Sequence, residues 1–416
     1  MRLRVFLGAF GAPGHAFPML ALGARLAQRG HYVIFETWER WRPYVQSAGM
    51  EFVPAMEFAP FPTGAAPLKP YEAVVHATGP TRRVLVAHAP HVVVHDVLTL
   101  APALAAELEG IPCATLIPHL YPVAARGLPP YSIGARRPRT FLGAALWGSL
   151  DRVVEGGLRL GQLELNDTRR RVGLPPLNRL HGGLSEELCL VATYPQLEYP
   201  RRWPSGVEVV GPLRWDPPAP EPPQLPPGDG PLVVVAPSTS HDPELRLVQT
   251  AVEGLAHGAV RVLASLDRRP AGRGWHAGAN VRLVNWLNYD DAMRDAAVVV
   301  CHAGHGTVVR ALSHGVPVVA VPHSGDMAEN AARVRWAGVG VRLPWRLLSS
   351  ATLRLAVESV LEQHQRYATA ARRVADWGRV HDPATRAAEL VEALGGVGLR
   401  SRAALGTPPS AAQPDG

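Results

Sequence analysis

Residues 300–312 read Val300-Cys301-His302-Ala303-Gly304-His305-Gly306-Thr307-Val308-Val309-Arg310-Ala311-Leu312. An apolar run ends in small residues and reopens with Val308, Val309, Ala311 and Leu312 on one helical face. The pattern predicts a buried strand, a tight turn and a helix, with Thr307 placed to cap it. Glycines let the backbone approach a ligand, and amides around Gly306, Thr307 and Val308 would point outward from the positive end of the helix. That arrangement attracts phosphate. The dipole contributes only about 0.3–1 kcal/mol, so a diphosphate would also need the side-chain donors of His302 and Thr307. A tight turn whose glycines merely permit packing gives the same letters, and the two readings stand level on physics alone.

The same alternation extends on both sides. A strand over 316–321 leads into Pro322-His323-Ser324-Gly325-Asp326-Met327-Ala328-Glu329-Asn330, which opens another helix. Asp326 is placed either to cap that helix, the commoner task, or to accept hydrogen bonds from ligand hydroxyls. Upstream, strands over 232–236, 260–264, 281–284 and 297–302 alternate with helices over 244–256, 290–295, 307–314 and 328–336. Helices over 353–363 and 383–394 finish this half. The front half opens with a strand over 5–8, a helix over 18–29 with Pro18 in its first position, and a strand over 32–35. That is a parallel βαβ unit. Further strands fall at 91–95, 112–117, 188–192 and 207–210, with helices at 101–108 and 161–172. Between the halves, residues 212–231 read PLRWDPPAPEPPQLPPGDGP, an extended, semi-rigid linker. The division is therefore a front domain 1–211, the linker 212–231, a rear domain 232–378, a terminal helix 379–395 and a disordered tail 396–416. Two αβ domains facing each other leave a cleft, and ligands bind such sheets at the carboxyl ends of their strands.

Composition removes several alternatives. The 416 residues carry a formal charge of +7, yet Lys69 is the single lysine. A lone lysine among prolines excludes a Walker A loop and argues against Schiff-base chemistry. The arginines are scattered, with short clusters at Arg136, Arg137 and Arg139 and at Arg169, Arg170 and Arg171, which read as solvated surface rather than a nucleic-acid footprint. Cys113, Cys189 and Cys301 have no CxxC spacing and lie in strand-like runs, which points to a reducing, cytoplasmic setting. No apolar run is long enough to insert stably in a membrane, and no His or carboxylate cluster shows metal-ligand spacing.

The rear loops together resemble the carboxyl-terminal signature of family 1 glycosyltransferases, GT-B enzymes that glycosylate small lipophilic acceptors. The family pattern His-Gly-Gly-x-Gly-Thr, then Gly-Val-Pro, then Asp-Gln-x-x-Asn-Ala-x-Arg-Val stands here as HAGHGT (302–307), GVPVVAVP (315–322) and DMAENAARV (326–334). The similarity in layout runs from Met1 to about Leu394. It implies an α/β chain of two Rossmann-like domains, with a nucleoside-diphosphate sugar as co-substrate and neither cofactor nor metal. By that resemblance His302, Gly306 and Thr307, with Gly304 between them, would hold the diphosphate. Asp326 would bind sugar hydroxyls beside Met327. Trp286 of Asn285-Trp286-Leu287 would stack on the base, and Ser238 and Thr239 would lie near the phosphates. Three residues depart from the pattern: Ala303 replaces a glycine, Asn288-Tyr289 replaces Pro-Gln, and Met327 replaces the glutamine that holds sugar hydroxyls. A thioether neither donates nor accepts strongly, which predicts a deoxygenated sugar or a compensating polar residue.

Gly14-His15-Ala16-Phe17-Pro18 lies after the first strand, at the rim of the same cleft, and matches the family's catalytic loop. An acceptor hydroxyl must lose its proton as it attacks the anomeric carbon, and an imidazole suits that task at neutral pH. Asp96, ending the run HVVVHD, occupies the position of the family's carboxylate partner, while strand alternation sends His95 to the opposite face. Acceptor contacts are expected from Phe58, Tyr121, Phe141 and Trp147, apolar residues that would equally serve a helical core. The resemblance thus implies inverting transfer from a nucleoside-diphosphate sugar to a polyketide, macrolide or similar small metabolite. Two alternatives stay open: another GT-B enzyme such as a sugar-nucleotide epimerase or a lipid-linked sugar transferase, and a non-catalytic sugar-nucleotide-binding protein. The oligomeric state is not specified by the sequence.

Overall fold

The computed structural model describes residues 2–404 apart from 59–69, 219–222, 239–241, 257, 273–274, 276–277 and 324. Thr239, one of the expected donor contacts, and residues 405–416 of the tail lie outside the described residues. The front sheet contains β1 (Arg4–Gly8), β2 (Tyr32–Thr37), β3 (Glu51–Pro54), β4 (Val92–Asp96), β5 (Cys113–Ile117), β6 (Leu188–Val191) and β7 (Val207–Val209). Their order is β3-β2-β1-β4-β5-β6-β7. The rear sheet contains β8 (Leu232–Ala236), β9 (Arg261–Ser265), β10 (Val281–Val284), β11 (Ala296–Cys301), β12 (Val318–Ala320) and β13 (Gly340–Arg342), in the order β10-β9-β8-β11-β12-β13. Every pairing is parallel. Crossover helices cover both faces, so β1, β4, β8 and β11 are apolar and buried throughout most of their length, with three valines in each of β4, β8 and β11.

Strand order reverses once in each sheet, between β1 and β4 in front and between β8 and β11 behind. At such a break the two following connections run to opposite sides and leave a crevice at the strands' carboxyl ends. His15 and Asp96 follow β1 and end β4. Ser238 and His302 follow β8 and β11. All four therefore occupy the crevices because of topology.

Several boundaries differ from the sequence reading. The first helix spans Pro13–Gln28, with Pro13 rather than Pro18 in its first turn. A proline there lacks an amide that no helical carbonyl would have accepted, whereas Pro18 is tolerated inside the helix. His15 thus stands on a helical turn and not in a loop. Helices Pro70–His88, Phe141–Ser149 and His364–Val380 and the edge strands β3 and β13 were not foreseen. The last helix, Pro383–Ala404, also passes Gly395 and Gly396, ten residues beyond its expected end, so the tail does not become irregular at 396. Glycine weakens a helix by only about 1 kcal/mol and does not by itself end one. Ala387, Ala388 and Val391 of this helix join the front core with Leu3 and Val92.

The chain passes between the halves twice, at 212–231 and again before Pro383. The passages touch. Gly211, at φ +98°, has room for no side chain, since a Cβ would lie 2.7 Å from Pro383 and 2.8 Å from Trp377. Trp215 of the linker is anchored among Phe17 and Tyr44, with ring centroids at 4.9 and 5.3 Å. No helix among the described residues is long and apolar enough to cross a membrane.

Candidate active site

The front crevice is organised around Asp96, which is fully buried. Its Oδ1 lies 2.7 Å from His15 Nδ1. Oδ2 accepts from the Leu98 amide at 3.3 Å and the Thr99 hydroxyl at 3.4 Å. Because the carboxylate accepts the Nδ1 proton, the neutral imidazole turns its Nε2 lone pair outward. Burial alone would push the His15 pKa down. The charge and hydrogen bond of Asp96 outweigh that, Asp326 adds to them, and the pKa ends above its ordinary 6.5. His95 points the other way, its Nε2 2.7 Å from the Thr115 hydroxyl. Phe10 packs edge-on to His15 and to Phe58, with centroids at 6.0 and 5.5 Å.

The rear crevice is built differently. Helix His305–Ser313 has Gly304 as its N-cap and no side-chain cap. Thr307 therefore stands inside the first turn and does not cap it. The amides of Thr307 and Val308, expected to face a ligand, both donate to Gly304 O at 3.1 Å. The outward amides are those of His305 and Gly306, which have no backbone partner among the described residues. A Cβ placed on Gly304 or Gly306 would meet nothing within 4 Å, and neither residue has a positive φ. These glycines answer to neither packing nor strain. What they keep clear is the space in front of the helix. Ala303 does hold a positive φ, +61°, where the family's glycine carries no steric penalty.

The His302 side chain is held from within the protein. It is 2% exposed, and its Nε2 lies 3.1 Å from Asp242 Oδ2. Burial lowers its pKa despite Asp242. Asp242 was missed in the sequence because His302 lies sixty residues away in the chain; it also accepts from the nearby amides of Arg246 at 2.9 Å and Leu247 at 3.0 Å. Ser238 is buried, and its carbonyl accepts from Arg269 at 2.8 Å.

Other expected residues divide in the same way. Asp326 begins helix Asp326–Trp336 after an N-cap at Gly325, and its carboxylate is not used for capping. Trp286 is partly buried and stacks on no ring among the described residues. Leu287 is a core residue, packed with Met293, Val299 and Val309, because alternation turns it inward where Trp286 turns out. Tyr121 is likewise buried, against Trp203 and beneath Arg201. Phe141 is 85% exposed, on a helix with no buried residue, and Trp147 on the same helix is only partly covered. Neither contacts the His15 cluster. Of the four acceptor candidates only Phe58 does, through Phe10.

The two crevices face each other. Asp326 of the rear half acts electrostatically on His15 and His119 of the front half. Leu120 belongs to the buried cluster that contains Met327. His119, which no motif marks in the sequence, places its ring 6.4 Å from that of His15.

With this geometry in view, comparison with known proteins becomes decisive. Residues 252–394 match the model of the erythromycin biosynthesis protein CIII-like C-terminal domain. The chain is 29% identical to 4'-demethylrebeccamycin synthase of Lentzea aerocolonigenes, over 95% of this chain and 100% of that one. The chain is a GT-B glycosyltransferase. A zeaxanthin glucosyltransferase of Pseudescherichia vulneris is 32% identical over 54% of each chain. Among solved structures, this glycosyltransferase superposes on the glycotransferase of kitacinnamycin with a TM-score of 0.74 at 22% identity, covering 94% of this chain and 99% of that one. The calicheamicin glycosyltransferase CalG4 gives 0.67 at 23% identity, over 95% and 99%. The paired sheets are thus those of the GT-B fold.

Proposed function

We propose that this glycosyltransferase moves a sugar from a nucleoside diphosphate to a hydroxyl of a small lipophilic secondary metabolite, with inversion at the anomeric carbon. The observation that carries the reading is the His15–Asp96 pair, held at 2.7 Å through Nδ1 and within electrostatic reach of Asp326 from the rear half. The acceptor oxygen attacks the anomeric carbon from the front side. Its proton passes to His15 Nε2, and Asp96 stabilises the imidazolium that forms. The bond from the anomeric carbon to the diphosphate oxygen breaks on the opposite face. The departing charge meets the amides of His305 and Gly306 and the helix N-terminus behind them.

In this reading Asp326 accepts from sugar hydroxyls, Trp286 offers its partly exposed face to the base, and Thr307 contributes a hydroxyl beside the diphosphate. Neither metal nor further cofactor is called for, so a chelator leaves turnover unchanged. Relatives named for rebeccamycin, kitacinnamycin and calicheamicin support the acceptor class. A solved relative complexed with thymidine diphosphate, TM-score 0.62, supports a nucleotide in the rear half.

The test is turnover with thymidine- and uridine-diphosphate sugars against a set of lipophilic alcohols, with the anomeric configuration of the product read by NMR. Glycosides of inverted configuration are expected. Retained configuration, or nucleotide binding without glycoside on any acceptor, would sink the proposal.

A further inference from the structure

The cleft contains a second imidazole that the reaction above does not use. His119 lies two residues past the end of β5, at the carboxyl edge of the front sheet. Its Nδ1 is 2.8 Å from the carbonyl oxygen of Leu120. A carbonyl only accepts, so Nδ1 carries the proton and Nε2 keeps a lone pair. Tyr131 closes one side, its ring stacked at 5.9 Å and its hydroxyl oxygen 3.2 Å from Nδ1. Sharing in the Nδ1 proton leaves the phenol's own proton available to another acceptor. No group among the described residues bonds His119 Nε2.

Burial and the nearby His15 keep His119 neutral against the pull of Asp326 and Asp96. Burial likewise keeps the Tyr131 phenol protonated. The pair therefore offers one fixed acceptor and one fixed donor, neither of them charged.

Its location decides what it can meet. Leu120 packs in the buried cluster that holds Met327, and Tyr131 rests against that cluster. The Asp326 carboxylate acts on both the His119 ring and the Tyr131 phenol, and Gly134, three residues past Tyr131, packs against Ala328 in the first turn of helix Asp326–Trp336. Met327, next to Asp326 in the chain, is buried in that cluster and its thioether offers no useful hydrogen bond. His119 Nε2 and the Tyr131 hydroxyl are polar atoms of the facing half within the electrostatic reach of Asp326.

We propose that His119 and Tyr131 form a second clamp for the donor sugar, supplied by the acceptor-binding half: His119 Nε2 accepts from one sugar hydroxyl and the Tyr131 hydroxyl donates to another, while Asp326 holds the sugar from behind. This rests on the function proposed above and narrows its substrate. The donor is a hexose with hydroxyls on the edge facing the front half. The bare nucleoside diphosphate does not reach the clamp, so only the intact donor engages both halves.

The experiment compares wild type with His119→Ala, His119→Gln and Tyr131→Phe. Calorimetry measures affinity for thymidine diphosphate, uridine diphosphate and their sugar conjugates, and steady-state kinetics give the KM of donor and acceptor separately. In His119→Ala, affinity for the bare diphosphate should stay within about twofold while donor affinity falls about tenfold, the worth of one good hydrogen bond. Acceptor KM should hold. His119→Gln, which restores an acceptor atom, should recover part of the loss, and Tyr131→Phe should fall in the same direction by less. Equal weakening of the bare diphosphate, or a shift confined to acceptor KM, overturns the clamp. Wild-type chain that binds neither diphosphate overturns the underlying function instead, so the two failures are distinct.

Discussion

The front and rear halves each place a histidine and a buried aspartate at the break in strand order, and the two pairs behave oppositely. His15 keeps 18% of its side chain accessible at 2.7 Å from Asp96, whereas His302 keeps 2% at 3.1 Å from Asp242. Asp96 receives its backbone amides at 3.3 and 3.5 Å, so most of its charge acts on the imidazole. Asp242 spends both oxygens on the start of a helix at 2.9 and 3.0 Å, and burial lowers the pKa of its histidine. A His–Asp pair becomes a proton acceptor where one ring nitrogen is left uncovered. Where both are enclosed, the same pair is a brace. In the proposed reaction the rear half accordingly meets the diphosphate chiefly with backbone amides and open space.

This contrast can be broken by substitution. His15→Ala should lower kcat/KM by about 100-fold or more, the usual loss for a general base, with Tm nearly unchanged; near-normal turnover would show that the uncovered nitrogen is idle. Asp96→Asn should cost less activity and move the pH profile. In wild type kcat/KM rises as pH climbs through a His15 pKa above 6.5. Without the carboxylate, burial is left as the main influence and the inflection falls to lower pH. An unmoved inflection would detach Asp96 from the base. Linkage runs the other way: the protonated His15–Asp96 pair stabilises the fold below pH 6.5 and that contribution fades as pH rises through the higher folded value.

Asp242→Ala should act on folding, costing about 2 kcal/mol in urea denaturation through the lost helix cap and the stranded imidazole. The pH inflection of turnover should not move, and if it does the brace interpretation fails. Gly306→Ala has the smallest expected effect. Its added methyl group meets no protein atom, so Tm should hold while thymidine diphosphate affinity drops about tenfold, or 1.4 kcal/mol. Unaltered affinity would mean the cleared space is not where the diphosphate lies.

The sequence was most legible where burial is simplest. Apolar runs such as those of β8 and β11 have no competing reading, and the glycine-rich turn after β11 marks its own helix start. Helix Pro70–His88 was hidden because Gly79-Pro80 sits inside it, a pair that normally stops a helix. Pro18 suggested a start five residues late for a similar reason. Side-chain roles were less legible than positions. His302 lies where the motif puts it, but its Nε2 is engaged by Asp242, sixty residues away in the chain. Leu287 and Tyr121 carry the right chemistry for a pocket and are turned into cores by alternation and tertiary packing. His119 has no motif around it, and its value comes from Leu120 and Tyr131, which only folding brings to it.

Both passages of the chain meet where Gly211 abuts Pro383 and Trp377. The two lobes thus share one fold line, like the boards of a book bound along a single spine. A swing about that line would first have to break the clasps that Arg333 makes with Glu198 and Arg342 with Gly134.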